Sequence, residues 1–272
     1  MKNILMTGIC IVSAVVIAAT PQVHGAVFDD FSDLNDTADP AWKHVSGYVN
    51  STGQTWDAST GQYRLTAPNN GAAAFGFVGS YTGGVESDVV VSADVVNFVG
   101  PPAGGVFGVG ARLNGFDALG QGTGYAYVYE PFSNGGAGEF VLARINPGVD
   151  VDDLGADGVE GVDYIRKVTL SPDKDYRFSL SVMGNQLRGQ VHEILGGDPA
   201  NDPLIAYQTR SNIDMAPDPY YPSGFSGLLA YSQNPLPPTD VTWDNFRVVP
   251  EPGTIVFIAL GACMLGLRGR RR

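Results

Sequence analysis

An all-β fold, a two-sheet antiparallel β-sandwich, is what the central part of this sequence predicts, and three observations carry the prediction. Short runs rich in Val, Tyr, Phe and Thr alternate apolar with polar residues, the period of a half-buried strand. These runs are cut by Gly, Asn, Asp and Pro clusters, in a chain of 272 residues with 36 Gly and 18 Pro. Between residues 27 and 249 no stretch carries the spacing of an amphipathic helix.

The elements follow in order. Gln62–Ala67 sets Tyr63 and Leu65 against polar neighbours, and Asp88–Phe98 is a long Val-rich strand. Val106–Leu113 mixes small and apolar residues, and Gly124–Glu130 alternates Tyr125, Tyr127 and Tyr129 with Ala126 and Val128. Glu139–Ile145, Tyr176–Met183, Gln186–Ile194, Gly227–Ser232 and Val241–Val248 complete the strand set. Gly184-Asn185 between two of them predicts a tight hairpin, because a positive φ costs glycine little.

The two ends of the chain read differently. Lys2, an apolar stretch from Ile4 to Ala19 and the small residues around Gly25-Ala26 form a secretory signal peptide over residues 1–26. At the other end Pro250-Glu251-Pro252 precedes an uncharged apolar run, Thr254–Leu267, closed by Arg268, Arg270, Arg271 and Arg272. As a helix that run would be about 21 Å long against a hydrocarbon core of about 30 Å, a short membrane stop with its arginines on the cytoplasmic side. The triplet, the apolar segment and the arginine cluster, in that order over residues 250–272, resemble the PEP-CTERM sorting signal of bacteria. The resemblance implies export through the translocon, transient membrane insertion and cleavage near the triplet by an exosortase-type enzyme. The destination it implies is the cell surface or the extracellular matrix.

The remaining body, residues 27–249, is a usual size for one all-β domain. It opens on Phe28-Asp29-Asp30-Phe31 and closes on Trp243-Asp244-Asn245-Phe246, with the Val-rich, Tyr-rich and hairpin strands between. That order resembles the concanavalin A-like, laminin-G-like jelly roll, which implies that the first and last strands lie side by side.

Composition excludes several functions. The chain carries a net charge of −12, and of its 28 acidic residues only Glu251 lies outside the body. Lys2 and the four terminal arginines are outside it too, so the body is more acidic than the whole and repels nucleic acid. The two cysteines, Cys10 and Cys263, both sit in the targeting ends, which leaves the body without a disulfide or a reactive thiol. His44 and His192 are the only histidines of the body, and no nucleophile elbow or zinc-ligand spacing is present.

Three kinds of site remain. Glycoside hydrolysis needs two carboxyl groups across a sugar groove. The Glu-x-Asp-x-x-Glu strand of glucanase relatives begins at Glu86-Ser87-Asp88, but its sixth position is Val91; Glu130 and Glu139 flank a Gly-rich loop without a carboxylate neighbour at strand spacing. Calcium is the one cofactor the sequence suggests: Asp150, Asp152, Asp153, Asp157 and Glu160 crowd one Gly-containing stretch, which reads equally as a solvated acidic loop. Asp29, Asp30, Asp33, Asp36 and Asp39 form a second acidic run with the same two readings. Extracellular polysaccharide would be held by exposed aromatics, and Tyr125, Tyr127, Tyr129, Trp42 and Trp56 are the pool. On one sheet the tyrosines would form a platform; on the other they would be core. The expectation is thus an exported, non-catalytic glycan-binding or structural domain. A polysaccharide-active enzyme and a calcium-dependent adhesion module are the alternatives.

Overall fold

The computed structural model describes residues 26–47, 54–67, 75–115, 122–147, 150–215, 219–233 and 238–250. The signal peptide before Ala26, the apolar run 254–267 and the terminal arginines lie outside the described residues. Among those described, no helix is long and apolar enough to cross a membrane.

Two antiparallel sheets face each other. The eight-stranded sheet runs in the order β13 (Leu204–Arg210), β12 (Gln186–Glu193), β11 (Tyr176–Met183), β6 (Val89–Phe98), β15 (Thr239–Pro250), β4 (Tyr63–Ala67) and β3 (Thr55–Asp57). Its eighth strand, β1 (Val27–Asp29), also pairs with β15, matching Val27 to Val248, so the two ends of the body do lie side by side. The seven-stranded sheet runs β10 (Asp150–Asp153), β9 (Glu139–Asn146), β8 (Thr123–Glu130), β7 (Val106–Asn114), β14 (Gly224–Gln233), β5 (Phe75–Glu86) and β2 (Lys43–Gly47). The fold is the sandwich the alternation predicts. The Asp150–Asp153 stretch, however, is an edge strand on β9 rather than part of a loop.

Alternation decides which side chains enter the core. Val89, Val91, Ala93 and Val95 of β6 point inward, as do Tyr176, Phe178, Leu180 and Val182 of β11. Each such burial contributes about 1.5–3 kcal/mol. Trp243 is fully buried among them, edge-on to Phe178 at 5.7 Å and to Phe107 at 6.1 Å. The β11–β12 hairpin turns through Gly184, whose φ of +53° suits the first central position of a tight turn.

One glycine is required by close approach rather than by its backbone. A Cβ at Gly189 of β12 would stand 2.4 Å from the Tyr127 ring carbons of the opposite sheet. Gly189→Ala is therefore expected to destabilise the domain by about 1–3 kcal/mol, read as a lower urea midpoint.

One arginine ties together the end of the sandwich at which β15 finishes. Arg112 sits in a bulge of β7 with φ +52° and is 1 % exposed. Its Nε donates to the Ser87 carbonyl (2.6 Å), Nη2 to the Gly184 carbonyl (3.0 Å) and Nη1 to the Tyr221 carbonyl (3.1 Å). Nη2 also meets the Asp88 carboxylate at 3.3 Å. Three separate turns thus share one cation. Arg112→Met keeps the volume but leaves buried carbonyls without donors, so a loss of about 3–5 kcal/mol is expected, measured by chemical denaturation.

Candidate functional site

The aromatic pool falls mostly inside the molecule. Tyr125, Tyr127 and Tyr129 share one face of β8, and that face is the core: all three are fully buried. Tyr129 Oη accepts from the Leu170 amide (3.0 Å) and Tyr125 Oη from the Tyr221 amide (3.1 Å). Of the two readings of this face, platform or core, burial supports the core: these rings hold the sheets together and have no open face for a sugar. Trp42 is also buried, its Nε1 donating to Asp29 at 2.7 Å. Trp56 is only half-buried, with its ring stacked on His44 at 5.0 Å.

Of the two readings of the acidic stretch from Asp150 to Glu160, the geometry favours separate side chains over a calcium site, because its carboxylates face different partners. Asp152 binds Arg144 Nη2 (2.6 Å) and Asn146 Nδ2 (2.8 Å), which hold its carboxyl below the usual range. Asp153 accepts from Arg166 (3.0 Å), Asp157 from the Ser211 amide (2.6 Å), and Glu160 faces Lys167 at 3.0 Å. Asp150 contributes its backbone to β10. Strand alternation separates neighbours that a loop would have gathered. Among the described residues no group of three or more His, Cys, Asp or Glu is placed to hold a metal ion. The second acidic run turns on its own backbone: Asp30 accepts from the Ser32 amide, Asp33 from Asn35, and Asp36 meets His44 Nε2 at 2.7 Å.

The structure does gather one set of groups that the spacing argument missed. Glu130 ends β8 and Glu139 begins β9, and the two are register partners across the hairpin. Since Tyr125, Tyr127 and Tyr129 point inward, Ala126, Val128 and Glu130 point to the other face, where Val128, Val141, Ala143, Ile145 and Leu229 form a second apolar cluster. Along its own strand neither glutamate has a carboxylate neighbour, but across the hairpin each is the other's. The signal was available: residues that close a hairpin oppose each other whatever the length of the loop.

Arg166 joins the pair. It makes an ion pair with Glu139 and a second with Asp153 at 3.0 Å, and its buried Nε has no hydrogen-bond partner. Glu130 accepts from Ser133 Oγ at 2.6 Å, and Ser133 is supplied by the turn Ser133–Gly136, where Asn134 and Gly135 both take positive φ. Burial pushes the Glu130 carboxyl up; the Ser133 hydroxyl and Arg166 pull it down, and Asp153 adds to the rise. Burial lowers Arg166, and burial followed by the Glu130 charge raises the Tyr231 phenol. The result is a carboxyl that resists ionisation beside one neutralised by a guanidinium, on an otherwise apolar face. Such a group can donate and accept hydrogen bonds to vicinal hydroxyls.

Comparison with known proteins bears on both parts of the chain. Residues 248–272 match the PEP-CTERM protein-sorting motif. No curated protein matches the chain. Among solved structures the sandwich is similar to a protein of galectin-like fold from Bacillus subtilis (13 % identity over 84 % of this chain and 98 % of that one, TM-score 0.50). It is also similar to a structure described under endo-acting O-glycanases of the human gut microbiota (16 % identity, 83 % and 98 % coverage, TM-score 0.50). A third is the carbohydrate-binding module CBM66 of Bacillus subtilis (13 % identity, 75 % and 92 % coverage, TM-score 0.46). The body thus has a galectin-like jelly-roll fold.

The raised Glu130 carboxyl fixes a pH dependence. A carboxyl whose folded pKa lies above its unfolded value favours folding at low pH, and that contribution is lost as pH rises through the folded value. Glu130→Gln is expected to raise the urea midpoint at neutral pH, with the gain shrinking as pH falls through the raised value and gone below the ordinary glutamate range. Chelator should leave the melting temperature of the domain unchanged, since its acidic side chains are already paired with cations and amides.

Proposed function

We propose that this protein is exported and sorted through its tail to the cell surface or extracellular matrix, where the jelly roll acts as a non-catalytic glycan-binding module. The sorting motif over residues 248–272 supports the first part, with an exosortase-type enzyme as the processing partner. The observation that carries the second part is the Glu130–Glu139–Arg166 group at one end of an apolar sheet face. Its carboxyls sit side by side on one hairpin, and Glu139 is committed to an arginine. A hydrolase needs two carboxyls on opposite sides of the scissile bond.

A second reading rests on the same pair. Cross-strand Cβ atoms lie about 4.5–5.5 Å apart, which allows the roughly 5 Å carboxyl spacing of retaining glycosidases, and a raised Glu130 suits a general acid. Polysaccharide pull-down and reducing-sugar release with the body Val27–Pro250 separate the two. Retention without sugar release, weakened by Glu139→Gln, is expected of the binder. Sugar release abolished by Glu130→Gln would replace it with the enzyme. For the tail, the intact mass of protein recovered from its native envelope is expected to end near Pro250.

A further inference from the structure

We propose that the end of the sandwich from which β15 leaves docks into the headgroup layer of the membrane that holds the tail. The proposal rests on the reading that residues 254–267 insert. It is argued from where the folded domain stops and from what its surface carries there.

β15 stays in the sheet until Pro250, which pairs with Val89, and Val248 is buried between β1 and β6. No spacer therefore separates the fold from the sorting motif. Only residues 251–253 precede the apolar run, and the four steps from Pro250 to Thr254 span at most about 14 Å. The headgroup layer itself is about 5–8 Å deep on each side. This end of the domain is therefore held within roughly 6–9 Å of the headgroup surface whenever the run is inserted.

Of the thirteen large hydrophobic side chains exposed among the described residues, six surround that end. Val85 precedes the β5–β6 turn, Met183 the β11–β12 turn, and Met215 follows Ile213, whose amide donates to the Asn185 carbonyl of that second turn. Tyr220 donates from Oη to the Gly184 carbonyl at 3.0 Å. Val249 precedes Pro250 itself, and Phe28 flanks it by pairing with Arg247. These six side chains are 36–62 % exposed. Of the charges among them, Asp88 meets Arg112 and the Gly184 amide, Asp214 accepts from Asn185 Nδ2, and Arg247 lies over the Phe28 ring at 4.8 Å. A rim of Met, Val, Phe and Tyr suits the interfacial zone of a zwitterionic bilayer rather than a charged partner.

The test uses the full chain reconstituted into phosphatidylcholine vesicles containing brominated lipid. Met215→Trp and Met183→Trp report on the docking end, and Leu195→Trp, just after β12, reports on the opposite end. The parent chain supplies the background of Trp42, Trp56 and Trp243. Vesicle flotation after alkaline wash scores insertion of the tail. The expected result is flotation, with the added emission at 215 and 183 blue-shifted and quenched, unaffected by salt, and that at 195 unquenched. Flotation with no quenching at 215 and 183, or equal quenching at 195, overturns the docking alone. Failure to float overturns the anchor reading and the docking together.

Discussion

Everything at one end of this sandwich depends on the satisfaction of a single buried cation. Among the described residues, Arg112 reaches the β5–β6 turn, the β11–β12 turn and the segment around Tyr221 from one side chain. The β5–β6 turn crosses between the sheets, the β11–β12 turn belongs to the eight-stranded sheet and the Tyr221 segment leads into the seven-stranded one, so the guanidinium clamps the two sheets together at this end. A planar fork with fixed donors can meet three carbonyls at once; a lysine amine could not do so from the same site. The price is a left-handed backbone at a non-glycine position.

Much of this architecture was legible because strand alternation is a local property. The β4, β6, β8, β9, β11 and β12 patterns each announce an inward face, and the pairing of first and last strands follows from the jelly-roll order. What escaped has physical reasons. The β5 sequence is broken by Gly76, Gly79, Gly83 and Gly84, which erase the alternating signal, and β10 is written almost wholly in aspartates that read as a loop. The tyrosines of β8 were correctly placed on one face, but alternation does not say which face is inside. Here the ambiguity is acute, because Ala126 and Val128 on the other side are buried as well. The Glu130–Glu139 pair was implicit in the hairpin, whereas Arg166 approaches from an irregular segment that no local pattern could place.

The molecule has two unlike ends. The strands of β8 and β9 begin and finish, respectively, near the Arg112 end, and their opposite ends carry the glutamates. Eight residues of strand separate the two by about 26 Å. The apolar rim around Val85, Met183 and Tyr220 is thus the far side of the domain from the carboxyl group pair. In the proposed arrangement a glycan site would face outward from the membrane rather than toward it, without any hinge to orient it.

The course of β15 also determines how the domain answers mechanical load. A pull applied beyond Pro250 enters along the axis of a strand flanked by β6 on one side and by β1 and β4 on the other. Ladder hydrogen bonds run across that axis, so the pull shears both rows together instead of unzipping one bond at a time. A domain built this way resists extraction by its tail.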